Sequence, residues 1–162
     1  MSVSDNVNLA ALDVVSRWSL ENRRAANAVA TDMSETLDIR PRNIAATARL
    51  LSGGNQQKVV IGRWLATKRK LLICEDPTAG VDVGAKSEIY ALLNRALGDG
   101  VAILIMSTDF EEIATICHRA IVFSQGAIVD ELSGTRLTTE NLIQSASAGN
   151  IETQGGGANA VA

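Results

Sequence analysis

The chain has 162 residues, 46% of them hydrophobic, and a formal net charge of -3. That is enough for one domain with a core of its own, and the mild acidity speaks against a nucleic-acid binder, which would show a basic patch. The longest plain apolar run, Val101 to Met106, is far too short to cross a bilayer.

The first residues include Asp5 and show no basic-then-apolar pattern, so no secretory signal is expected. Met1 to Ala10 is polar and reads as extended or loosely ordered. Leu12, Val15 and Trp18 recur at helical spacing, and a second helix is expected from Glu21 to about Leu37. Pro41 pushes Arg40 out of helical geometry and marks a turn. Leu51-Ser52-Gly53-Gly54-Asn55-Gln56-Gln57-Lys58 then opens an amphipathic helix, with Val59, Val60, Ile61, Trp64 and Leu65 at apolar positions. Trp64 and Leu65 should be buried, and Lys58, Lys68 and Arg69 exposed. Ser52 is a good N-cap, and the glycines let another molecule approach the backbone. A helix start with free N–H groups is an anion site, although an ordinary capped helix after a loop carries the same local chemistry.

Leu71-Leu72-Ile73-Cys74 is a short apolar run of buried-strand type. It delivers Glu75 and Asp76 to its C-terminal end, where open α/β sheets put their chemistry. Ala79-Gly80-Val81-Asp82 follows, then a helix from Lys86 to Leu97 with Ile89, Leu92, Leu93 and Leu97 on one face and Gly98 at its end. Val101–Met106 is a second buried strand, leading into Ser107-Thr108-Asp109 and a short helix from Phe110 to Cys117. Ala120–Phe123 and Ala127–Val129 flank Ser124-Gln125-Gly126 as a hairpin. A last helix is expected from about Thr139 to Ala148. Residues 150–162 contain Gly155-Gly156-Gly157 and no periodic pattern, so they read as a disordered tail. This order implies an α/β fold with a mostly parallel sheet, flanking helices and an antiparallel edge hairpin. Cys74 and Cys117 have no spacing pattern and read as reduced core residues, not a disulfide or zinc pair.

Leu51–Lys58, the helix after it, Leu71–Asp82 and Val83-Gly84-Ala85-Lys86 together resemble an ABC transporter ATPase, in that order and spacing. The wording of Leu51–Lys58 and of Gly80–Lys86 is similar to one branch, the tandem ATP-binding subunit of ribose-, xylose- and galactose-type sugar importers, in its second ATPase domain. The resemblance covers roughly Met1 to Gly149. It implies a partial P-loop NTPase fold: a small helical subdomain segment over residues 1–50, and the signature loop plus the carboxylate-bearing α/β half over residues 51–149. It also implies ATP and Mg²⁺ as cofactors. The implied partners are an intact ABC ATPase domain, membrane permease subunits and, indirectly, a periplasmic or extracellular sugar-binding protein. The implied location is the cytoplasm, peripheral on the inner face of the cell membrane.

Within that resemblance Ser52, Gly53, Gly54, Asn55 and Gln56 belong to the signature loop that faces a partner's γ-phosphate, and Asp82 to the turn that meets the partner. Asp82 also reads as a plain helix N-cap. Glu75 takes the metal-side position and Asp76 the base position, the reverse of the family's order of Asp then Glu. Each carboxylate is thereby displaced by about 1.5 Å, one C–C bond, and a misplacement near 1 Å can cost on the order of 10²-fold. Thr108 stands where the family often places a His, and cannot carry its charge. The one histidine, His118, reads as a surface or packing residue in the next helix. The sequence contains no Gly-x-x-x-x-Gly-Lys-Ser/Thr; Gly80–Ser87 fails it because Ala85 separates glycine from lysine. Weak hydrolysis and weak ATP binding by the chain alone are expected. Two other readings stand beside this one: a non-catalytic interaction module or truncated product, and an unrelated α/β hydrolase using Glu75 and Asp76 as acid and base.

Overall fold

The computed structural model describes residues 1–11, 16–17 and 20–155, with side chains placed for residues 1–11 and 22–148. The chain divides into two compact units, Met1–Leu104 and Ile105–Ala162.

The first unit opens on a helix where an extended segment is expected. Helix α1 spans Val3–Asn8, and Ser2 caps it in a reciprocal box, its Oγ accepting from the Asp5 N–H while its own N–H donates to Asp5. Val3 and Val7, four residues apart, are wholly buried. Two apolar residues in a polar stretch give too little periodicity to read; the capping box gives the helix its start. Short strands β1 (Ser16–Arg17) and β2 (Leu20–Glu21) then pair antiparallel. The helical spacing of Leu12, Val15 and Trp18 falls on positions outside the described residues, and the described ones between them are ribbon, not helix. Helix α2 runs Arg23–Thr36, capped by Asn22, and buries Ala26, Ala30 and Ser34 along one stripe. Its extent agrees with the expected helix.

Helix α3 spans Gly53–Leu65 behind the Ser52 cap. Its buried residues are Gly54, Lys58, Val59, Ile61 and Gly62, whereas Trp64 is 51% exposed. Lys58 thus lies inside and Trp64 outside, against expectation, while Leu65 is half-buried and Lys68 and Arg69 are exposed as expected. The buried stripe is set by glycines that admit neighbouring helices. A Cβ on Gly62 would stand 2.6 Å from Leu37 Cδ1. Arg63 ties α3 to α1 by donating to the Asn6 carbonyl and side chain at 2.9 and 2.8 Å. Strand β3 (Leu71–Glu75) is a hydrogen-bonded neighbour of strand β4 (Ala102–Met106), and helix α4 (Val83–Gly98) connects them. Asp82 caps α4, which buries Ile89, Leu92, Leu93 and Ala96. The helix begins three residues before the expected Lys86, and Ala96 replaces Leu97 on the buried face.

The apolar runs of β3 and β4 predict strands buried on both faces. In β3 burial alternates instead: Leu72 and Cys74 are covered, while Leu71 and Ile73 are 54% and 56% exposed.

In the second unit, helix α5 (Phe110–Ile116) is capped by Asp109, which accepts from the Glu111 and Glu112 N–H groups. Strands β5 (Arg119–Ser124) and β6 (Ala127–Ser133) form the expected antiparallel hairpin. Gln125 and Gly126 at its tip both have positive φ, as a two-residue primed turn requires. Helix α6 runs Thr139–Gly155, so residues 150–155, expected in a disordered tail, continue the helix. Ile113, Val122, Leu132, Leu137 and Leu142 form this unit's core. His118 is exposed and follows α5 instead of lying within it.

Candidate functional site

The loop before α3 is fixed by its own side chains. Asn55 donates from Nδ2 to Ser52 Oγ at 2.9 Å, and its Oδ1 accepts from the Arg40 N–H at 2.7 Å. Gln56 donates back to the Leu51 carbonyl at 2.7 Å. Ser52 and Gly53 are exposed at the start of a 13-residue helix and carry no bulky side chain, while Gly54 is buried and the Asn55 N–H donates to Ser52 Oγ. That is the arrangement that receives an anion.

The two glycines differ. A Cβ on Gly53 would lie 3.6 Å from the Gly80 carbonyl oxygen, an ordinary contact. A Cβ on Gly54 would stand 2.5 Å from the Ala85 Cβ. Gly54 is therefore buried where α3 crosses the start of α4, and it serves packing there. Gly54, expected in the signature loop, is thus also a packing position between the two helices, and a side chain there would force them apart.

The same contacts bring the turn after β3 against the loop. Asp82 accepts from the Ala85 N–H at 2.9 Å as N-cap of α4. Glu75 ends β3 with its side chain exposed. Asp76, also exposed, has φ 42, and its carbonyl accepts from the Ala79 N–H. Pro77 and Thr78 behind it are buried, which anchors the turn. The first unit thus gathers Ser52, Gly53, Gly54, Asn55 and Asp82 about the α3–α4 crossing, with Glu75 and Asp76 at the end of β3. Thr108 lies in the second unit, exposed in the bend between β4 and α5.

The residues fit part of a nucleotide. The start of α3 offers N–H donors and a hydroxyl to phosphate oxygens. Among the described residues no group of three or more His, Cys, Asp or Glu side chains stands ready for a metal. Mg²⁺ bound beside a nucleotide takes one or two carboxylates and completes its shell with phosphates and water, so Glu75 and Asp76 suit such a shared site.

Lys58 and Glu88 were not among the candidates. The Lys58 ammonium reaches Glu88 Oε2 at 2.6 Å and the Asp38 carbonyl at 3.2 Å. The signal was present in the spacing of positions 54, 58, 61 and 62, one face of a helix once glycine counts as an interior residue. Around the same loop, Arg40 and Arg42 hold the Asp38 carboxylate at 2.7 and 3.3 Å. The hydrogen bond from Arg40 comes first in keeping Asp38 below the usual carboxylate range; burial opposes it and Arg42 adds to it.

Residues 1–79 match the family model described as ABC transporter. The ribose import ATP-binding protein RbsA 2 of Escherichia coli O157:H7 is 41% identical over 143 residues, which is 88% of this chain and 28% of that protein. A ribose import ATP-binding protein RbsA 1 of Streptomyces coelicolor is 39% identical over 146 residues, or 90% of this chain and 29% of its own length. The chain therefore spans less than a third of these relatives. Among solved structures, the ADP conformation of MJ1267, an ATP-binding cassette of an ABC transporter, superposes with a TM-score of 0.76 at 20% identity, covering 93% of this chain and 63% of that one. The dimeric cassette MJ0796 gives 0.67 at 23% identity, covering 82% and 56%. In fold and in sequence, this chain carries part of the ATPase domain of the ABC transporter family.

Proposed function

We propose that the chain is an ATP-binding component of a sugar importer that contributes its signature loop to an ATP site whose phosphate loop belongs to a partner domain. The observation that carries this is the start of α3: Ser52 and Gly53 exposed, Asn55 locked onto the Ser52 hydroxyl, and the Asp82 turn packed alongside. The ribose importer relatives support the substrate class, and the dimeric MJ0796 cassette supports the pairing. On this reading Ser52, Gly53 and Asn55 face the γ-phosphate, and Gln56 closes the loop. Asp82 meets the partner, while Glu75 stands on the Mg²⁺ side. Asp76 holds the base position and Thr108 stands where the family often places a His, and these departures from the family pattern make hydrolysis at this half slow. The intact ABC ATPase domain is the direct partner. Permease subunits and an external sugar-binding protein complete the system, and the complex works at the inner face of the membrane.

Two measurements test it. Calorimetry on the isolated chain should show ATP-Mg binding weaker than the low-micromolar range, because a phosphate loop and its lysine supply most phosphate contacts. Mixed with an intact cassette, the chain should associate in the presence of ATP and raise the cassette's ATPase rate. Tight ATP binding by the chain alone, or no ATP-dependent association, would overturn the proposal, and the second result would favour the non-catalytic module.

A further inference from the structure

We propose that Lys58 is a positioning residue: paired with Glu88, it holds α3 on α4 so that the Ser52–Asn55 loop and the Asp82 turn present themselves as one rigid body. The inference rests on the function proposed above and extends it to a residue outside the loop.

The Lys58 side chain is 5% exposed, while Glu88 is 61% exposed. A buried ammonium carries a desolvation cost that an apolar residue of similar volume avoids, and such replacements are often neutral or stabilising. Stability alone is thus weak grounds for a lysine here. Geometry offers a better one. Gly54 meets Ala85, and one turn further along both helices Lys58 meets Glu88. Two successive contacts between the same two helices fix their mutual orientation, where one would fix only their distance.

The ammonium also reaches a third segment. It donates to the Asp38 carbonyl at 3.2 Å, and two residues on, the Arg40 N–H donates to Asn55 Oδ1 at 2.7 Å. Asn55 in turn donates to Ser52 Oγ. The path from Lys58 through the Asp38–Arg40 segment to the Ser52 hydroxyl is therefore made of short polar contacts at each step. Releasing the ammonium frees α3 from α4 and the Asp38 carbonyl together, one turn from the residues that would touch phosphate.

The test uses Lys58→Met, which keeps the buried stem and removes the charge, and Lys58→Arg, which keeps both. Amide hydrogen exchange on the isolated chain reads the coupling without any partner. Lys58→Met should speed exchange at Asn55, Gln56 and Gln57 by about tenfold or more while Leu92, Leu93 and Ala96 in α4 keep wild-type rates, and Lys58→Arg should restore protection. With an intact cassette as partner, Lys58→Met should lower kcat by roughly tenfold or more and leave the KM for ATP in place, because the partner's own phosphate loop binds the nucleotide. Wild-type exchange at residues 55–57 in Lys58→Met overturns the proposal. So does an equal loss of protection throughout the chain, which would make the pair ordinary core. If exchange changes locally but the wild-type chain does not stimulate the cassette, the functional reading falls while the positioning role stands.

Discussion

A methyl group at residue 54 would stand 2.5 Å from the Ala85 methyl, far inside van der Waals contact, and both belong to helix backbones that cannot swing aside. Gly54→Ala should therefore cost ~1–3 kcal/mol in urea unfolding, the usual range for overpacking. Ala85→Gly in the same chain should recover most of that loss, apart from the ~1 kcal/mol cost of glycine in a helix. Unchanged stability in the single variant would mean that the two helices do not cross there. Asp38 gives a pH-dependent counterpart. Its carboxyl is held low when folded, first by the Arg40 hydrogen bond, so its contribution is present above the ordinary carboxylate value of about 3.9 and fades as pH falls through the lower folded value. Asp38→Asn keeps the left-handed φ of 46 that asparagine tolerates. It should flatten the acid limb of a stability–pH curve below about pH 4–5 and shift neutral stability little, as expected of an exposed pair.

At the scale of elements, α3 shows how much of the site was legible. Its start was readable because Ser52 and the glycines are local chemistry. Its inward face was not, because that face is chosen by what approaches it: Ala85 at Gly54, Glu88 at Lys58, Leu37 at Gly62. A hydropathy pattern scores lysine and glycine as outside and tryptophan as inside, and all three scores fail here. Helix α4 was legible because Ile89, Leu92 and Leu93 pack with no polar exception. Helix α1 was missed because its signal is the Ser2–Asp5 box, not hydropathy. Two outcomes follow. In a Trp18→Phe background, which leaves Trp64 as the single indole, fluorescence should be solvent-like and open to iodide quenching; a blue-shifted, unquenched spectrum would contradict the exposure found for Trp64. Trp64→Ala should accordingly cost less than the ~3–5 kcal/mol of a buried indole, whereas wholly buried Ile89→Ala should cost ~2–5 kcal/mol.

For the molecule as a whole, the fold class followed from strand–helix order, and the family from motifs spread between Leu51 and Lys86. What the order of elements could not give was the exposure of β3, whose apolar run is covered on one face only. The account's central claim concerns the exposed start of α3, and Gly53→Asp tests it most directly. Position 53 is exposed, has only an ordinary contact at 3.6 Å from Gly80, and opens the first helical turn, where an acidic residue is favourable. The variant should fold with wild-type stability, yet it sets a negative charge where phosphate oxygens would sit, and like charges at close range in an interface cost several kcal/mol. The measurement is ATP-dependent association with an intact cassette, wild type beside Gly53→Asp, with melting temperatures recorded for both. The account predicts association for wild type, loss of it for the variant, and matching melting temperatures. Equal ATP-dependent association of the two proteins would contradict it, since no nucleotide phosphate could then lie against this loop.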